Sequence, residues 1–122
     1  MATRVLIAED EPNIVESLDF VLQREGFDVT SVLDGDAALR RLRSAPPDLL
    51  ILDLMLPRMS GFEVLKAVKA DPVLKSIPVL ILTAKGQAQD RRLAQEIGVD
   101  AFMTKPFSNR EVVEQVHRLT AR

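Results

Sequence analysis

The sequence predicts an α/β domain in which five parallel strands alternate with five helices, a (βα)5 unit. Three observations carry this. Short apolar runs rich in β-branched residues recur along the chain, amphipathic patterns of helical period lie between them, and helix start and stop signals sit at the joints. The 122 residues leave room for one sheet and one domain, spanning 1–122, which at this size buries roughly 60 to 70% of the unfolded chain's surface.

The strand runs are "RVLIA" at 4–8, "DVTSV" at 28–32, "DLLIL" at 48–52, "PVLILT" at 78–83 and "AFMT" at 101–104. The first, third and fourth are almost wholly apolar, as strands covered on both faces require, whereas the second and fifth are mixed and suit the sheet edges. After the first run, Ile14, Leu18, Val21 and Leu22 repeat at i, i+4, i+7 and i+8, and Gly26 supplies a stop. "APPD" at 45–48 is a helix-to-strand turn, because proline extends neither element. Ser60 with Glu63, and Ser108 with Glu111, fit the capping box in which side chain and backbone satisfy one another at a helix start. Val112, Val113, Val116 and Leu119 make the buried stripe of the last helix.

Composition excludes more than it assigns. The 16 basic and 18 acidic side chains leave a formal charge of -2 and no electrostatic footprint for nucleic acid or an anionic membrane. There is no cysteine, so disulfides, thiolate metal sites and cysteine catalysis are out. "MATRVLIAEDE" reaches acidic residues too early for a secretory leader, and no apolar run approaches the ~18 residues of a membrane span. A soluble, cytoplasmic protein is the expectation.

The chemistry gathers where strands end, since open parallel sheets bind ligands beyond the carboxyl ends of their strands. The first strand closes with Glu9, Asp10 and Glu11 and the third with Asp53. If those strands are neighbours, at least three carboxylates converge, and like charges that close need a neutralising cation. Oxygen ligands without Cys or nearby His suit Mg²⁺, Mn²⁺ or Ca²⁺. Glu11, followed by Pro12, reads more simply as a charge at a helix start. Thr83 closes the fourth strand and Lys105 follows the fifth, a hydroxyl and an ammonium suited to anionic oxygens. A cation site, a nucleophilic carboxylate and two ligands for phosphoryl oxygens are the parts that phosphoryl transfer needs. Asp53 is then expected just beyond its strand, compensated by the cation rather than by a structural salt bridge, with Lys105 across the cleft.

Four stretches, each at a strand end, together resemble the receiver domain of two-component response regulators: "LIAEDE", "LDLMLPRMSG", "ILTAKG" and "AFMTKPF". The resemblance spans the chain. It implies a doubly wound, flavodoxin-like sheet in strand order 2-1-3-4-5, a topology for which the chemotaxis receiver is a standing example. It implies Glu9 and Asp10 as the acidic pair for Mg²⁺, with Mn²⁺ able to substitute, Asp53 as metal ligand and phosphoacceptor, and the Met55 backbone carbonyl completing the metal shell. Thr83 corresponds to the switch hydroxyl, Lys105 to the lysine that meets the phosphoryl oxygens, Phe102 to the aromatic switch residue, and Lys105-Pro106 to a cis peptide.

The partners implied are a histidine kinase or histidine phosphotransfer protein and a downstream protein target, with no direct nucleic acid contact and no membrane. Such a protein is no conventional enzyme, although it catalyses its own phosphorylation and dephosphorylation. Ala101 and Gln115 stand where winged-helix regulators of this family carry an acidic residue and an arginine for dimer salt bridges, so a monomer or weak dimer is expected. Three other readings compete. One is a receiver-like interaction module that is not phosphorylated. A second, an aspartate-nucleophile phosphatase of the haloacid-dehalogenase type, carries a D-x-D nucleophile after the first strand, unlike Asp53. The third is a flavin protein, whose cofactor phosphate the acidic first loop would repel. His117 reads as a surface histidine, and Lys85 as a lysine near the cleft mouth.

Overall fold

A computed structural model describes residues 2–84 and 88–121. Lys85, expected near the cleft mouth, lies outside the described residues. The elements alternate as predicted: β1 (Arg4–Ala8), α1 (Pro12–Arg24), β2 (Asp28–Val32), α2 (Gly35–Ser44), β3 (Leu49–Asp53), α3 (Gly61–Ala70), β4 (Val79–Thr83), α4 (Ala88–Ile97), β5 (Ala101–Thr104) and α5 (Asn109–Thr120). The strands form one parallel sheet in the order β2-β1-β3-β4-β5, so the two mixed runs are the edges. Against the sequence expectation, β3 starts and ends one residue later, and its last residue is Asp53.

The central strands bury side chains on both faces, and alternate residues feed two separate cores. Leu6, Leu50, Leu52, Val79 and Ile81 meet α2, α3 and α4 through Leu42, Val64, Leu65, Val68 and Ala94. Val5, Ile7, Leu49, Ile51, Leu80 and Leu82 meet α1 and α5 through Leu18, Leu22, Val112 and Val116. Sheet apolarity therefore holds three helices on one face and two on the other.

Caps act largely as the sequence indicated. Gly26 ends the α1 turn at φ 90°, in the left-handed region that glycine enters without strain. Ser108 and Glu111 form a full capping box on α5. On α3 the box is only half made: the Ser60 hydroxyl accepts from the Glu63 N–H at 3.3 Å, but Glu63 Oε1 takes the hydroxyl itself at 3.4 Å. On α2, Asp34 supplies a cap the sequence reading missed, accepting from the Ala37 N–H at 2.8 Å.

One close approach positions the site. The N–H of Gly61 donates to Leu54 O at 3.0 Å, and a Cβ at Gly61 would stand 2.3 Å from the Asp53 carbonyl oxygen. Only a residue without a side chain lets α3 start directly behind Asp53.

Candidate active site

The register brings four strand ends into one rim. Ala8 pairs with Leu52, Asp53 with Leu82, and Thr83 with Thr104. Chain continuity then sets Glu9 beyond β1 and Lys105 beyond β5, with Asp53 and Thr83 between them. The Lys105 N–H donates to Thr83 O at 2.7 Å, which ties the β5 end back to β4.

Three carboxylates surround one ammonium. Lys105 Nζ lies 2.8 Å from Glu9 Oε1, 3.1 Å from Asp53 Oδ2 and 3.3 Å from Glu11 Oε1. Glu9 and Asp53 are 1% and 3% exposed, and Thr83 is equally buried. The second oxygen of Asp53, Oδ1, accepts from the Met55 N–H at 3.0 Å. The second oxygen of Glu9, Oε2, accepts from the N–H groups of Asp10 at 3.1 Å and Glu11 at 3.2 Å. Each buried carboxylate thus keeps one oxygen on backbone donors and turns the other toward Lys105.

Burial pushes the Glu9 carboxyl up to about 7; Lys105 opposes that rise and the neighbouring Asp53 charge adds to it. Burial alone would lower Lys105, but Glu9 and Asp53 outweigh it and hold the ammonium above its usual range. Glu9 Oε1 is close to Nζ yet off the direction of a hydrogen bond, so this buried oxygen has charge compensation and no hydrogen-bond donor among the described residues.

That oxygen bears on whether a cation fits. One carboxylate oxygen from each of Glu9, Asp10 and Asp53 lies within 4.8 Å of the others, with Asp10 exposed and the other two buried. An oxygen-only set, open on the Asp10 side, suits a hard divalent ion that keeps part of its water shell. The residues fit.

Three sequence expectations are corrected. Asp53 does not stand just beyond its strand; it is the last residue of β3 and is buried. Its compensation is a direct ion pair with Lys105 rather than a cation alone. Glu11, set aside as a helix-start charge, joins the Lys105 cluster, and its exposed side chain gave no sequence signal because the contact spans 94 positions. The other residues singled out in the sequence lie in different places. Met55 keeps an exposed side chain while its backbone adjoins Asp53. Phe102 is half-buried on β5 beneath the Arg91 guanidinium, 4.9 Å from the ring centroid. The Lys105-Pro106 peptide is cis. His117 is a surface residue, 2.8 Å from Glu25 and stacked obliquely on Phe27.

Comparison with known proteins agrees with this geometry. Residues 5–117 match the family model of the response regulator receiver domain. Over 122 residues the chain is 41% identical to the alkaline phosphatase synthesis transcriptional regulatory protein PhoP of Bacillus subtilis, all of this chain matching 50% of that one. The chain spans about half the length of the curated relatives it matches. Among solved structures, the signal receiver domain of a signal transduction histidine kinase from Syntrophus aciditrophicus is 35% identical with a TM-score of 0.91, over 98% of this chain and 91% of that one. The receiver domain of the sensor histidine kinase PA1611 from Pseudomonas aeruginosa, described with a magnesium ion coordinated in its active site cleft, has a TM-score of 0.91 at 25% identity over 100% of both chains. The fold, the acidic cleft and these likenesses agree, and the chain belongs to the response regulator receiver domains of two-component signal transduction.

Proposed function

We propose that the chain, as one receiver domain over 1–122, takes a phosphoryl group onto Asp53 from the phosphohistidine of a kinase or phosphotransfer protein. The observation that carries this is the placement of Asp53: a buried carboxylate at the carboxyl end of a central strand, 3.1 Å from Lys105 and clustered with Glu9 and Asp10. A carboxylate oxygen of Asp53 attacks phosphorus; the O–P bond forms, the N–P bond breaks, and the imidazole leaves with a proton from solvent. Water later attacks the acyl phosphate and restores the carboxylate.

Glu9, Asp10, Asp53 and the Met55 carbonyl would hold Mg²⁺, or Mn²⁺ in its place. Bound there, the ion neutralises charge on the transferring oxygens. The chain's own residues do the rest. Lys105 presents its ammonium to the oxygens as charge builds on them, and Thr83 presents a hydroxyl from the end of β4. The Met55 N–H fixes the orientation of the Asp53 carboxylate. Once phosphorylated, Asp53 carries roughly -1.5 to -2 charge, which draws on Thr83 and Lys105 and repacks the neighbouring face at Phe102. A protein target reads that face. The domain acts in the cytoplasm as a monomer or weak dimer, with no nucleic acid or membrane contact of its own.

The test is uptake of a phosphoryl group from acetyl phosphate, or of beryllofluoride, with millimolar Mg²⁺. The expected result is one adduct per chain at Asp53, none in Asp53→Asn, and resonance shifts at Thr83 and Phe102. Unlabelled wild type, or labelling that survives Asp53→Asn, would leave a receiver-like interaction module instead.

A further inference from the structure

Glu11 is the one member of the Lys105 cluster that the proposed reaction does not use. It lies outside the group of carboxylates placed to hold a cation. Its side chain is 57% exposed, while that of Lys105 is 9% exposed. It also lines, with Lys105, Pro106, Phe107 and Asn109, a groove of about 520 Å³ between α1 and the start of α5. The ammonium therefore sits between two demands. Glu9 and Asp53 draw it inward at 2.8 and 3.1 Å, and Glu11 draws it toward the groove at 3.3 Å. Nζ donates to Asp53 Oδ2 and to Glu11 Oε1 and meets Glu9 through charge alone.

We propose that Glu11 is a positioning residue: it holds Lys105 on the groove side of the cleft and so limits how far the ammonium turns to the phosphoryl group on Asp53. This rests on Asp53 being the phosphoacceptor. Charge on the inner carboxylates is taken up when a cation binds there, and the inward pull on Lys105 then weakens. Glu11, outside that group, keeps its pull. Attack on the donor and hydrolysis of the acyl phosphate both build charge on the same phosphoryl oxygens, so a tether on Lys105 slows both steps alike. Releasing it raises both rates by about two- to fivefold, the range set by one exposed ion pair.

Glu11→Gln keeps the size of the side chain and removes its charge. Glu16→Gln, on the exposed side of α1, the helix that Glu11 precedes, and outside the ion pairs among the described residues, is the control. Two readouts are needed. The first is the Lys105 Nζ resonance in unphosphorylated, metal-free protein, which shifts in E11Q and stays in place in E16Q. The second is the rate of phosphoryl gain from acetyl phosphate and from phosphoramidate, with the rate of loss, at low and high salt. The expected result is that E11Q speeds gain and loss together and equally for both donors, by a factor that shrinks at high salt for both steps alike.

An effect on gain alone that E16Q shares and salt abolishes is plain repulsion of an anionic donor, and it overturns the proposal. An Nζ resonance unmoved in E11Q overturns it as well. If wild type takes no phosphoryl group, the phosphoacceptor assignment fails, and the Nζ resonance by itself decides whether Glu11 holds Lys105.

Discussion

Lys105 Nζ stands 2.8 Å from Glu9 Oε1, a buried ion pair between residues 96 positions apart in sequence (105 minus 9). Removing one partner of such a pair strands the other charge, which is more damaging than never having had the pair. Lys105→Met should therefore destabilise the metal-free protein by about 3 kcal/mol, read from urea unfolding. Millimolar Mg²⁺ should narrow the gap, since a cation substitutes for the lost ammonium. A variant as stable as wild type without Mg²⁺ would show the cluster to be solvated rather than buried.

The raised Glu9 carboxyl gives the protein a pH dependence of definite sign. Its value is about 7 folded against 4.5 as the reference, so between these the native state holds a proton that the unfolded chain has released. Stability then falls as pH rises from about 4.5 to about 7. The loss is at most about 3 kcal/mol at 1.36 kcal/mol per unit. Urea midpoints measured across that window without metal should decline, and Glu9→Gln should flatten the slope. A midpoint that climbs through the window would contradict the buried placement of Glu9.

Asp10 separates metal binding from folding. It is the exposed member of the carboxylate group and has no ion pair among the described residues. Asp10→Asn should leave the metal-free melting temperature within about 2 °C of wild type, as exposed substitutions do. It should also remove most of the rise that wild type shows with Mg²⁺, since a ligand stabilises only the state that binds it.

Gly61 has no room for a side chain. Gly61→Ala puts a methyl 2.3 Å from the Asp53 carbonyl oxygen, so the start of α3 must retreat. A loss of about 1–3 kcal/mol is expected in thermal or urea unfolding. Slower phosphoryl uptake should accompany it, because the displaced backbone carries Asp53.

The two serine caps should differ. Ser108→Ala removes one half of a complete capping box and should destabilise by about 1 kcal/mol. Ser60→Ala removes a longer bond from a half-made box and should cost less. Parallel urea titrations of the two variants decide the ranking.

Much of this molecule was legible in its sequence. The runs at 4–8, 28–32 and 101–104 coincide with β1, β2 and β5, and the apolar or mixed character of each run told central strands from edges. Asp53, Thr83 and Lys105 were singled out because strand ends are where parallel sheets do chemistry, and they do lie at adjoining strand ends. What escaped was of two kinds. The Asp34 cap and the incomplete box at Ser60 depend on which of several local bonds wins, a matter of a few tenths of a kcal/mol. The burial of Asp53 and the involvement of Glu11 depend on where the Lys105 side chain reaches, and no spacing encodes that.

The apolar character of β3 on both faces has a last consequence. A strand with one wet face is locked in register by polarity, because a slip of one residue exposes its whole buried set. β3 has no such lock: Leu49, Leu50, Ile51 and Leu52 are all buried, and a slipped strand would still bury leucine and isoleucine. Its alignment must come from its ends, with Asp48 Oδ2 taking the Arg4 N–H at 2.8 Å at one and Gly61 closed against Asp53 at the other. Random exchange of leucine, isoleucine and valine within β3 should spare phosphoryl uptake, while changes at either clasp should misplace the Asp53 carboxylate without unfolding the sheet.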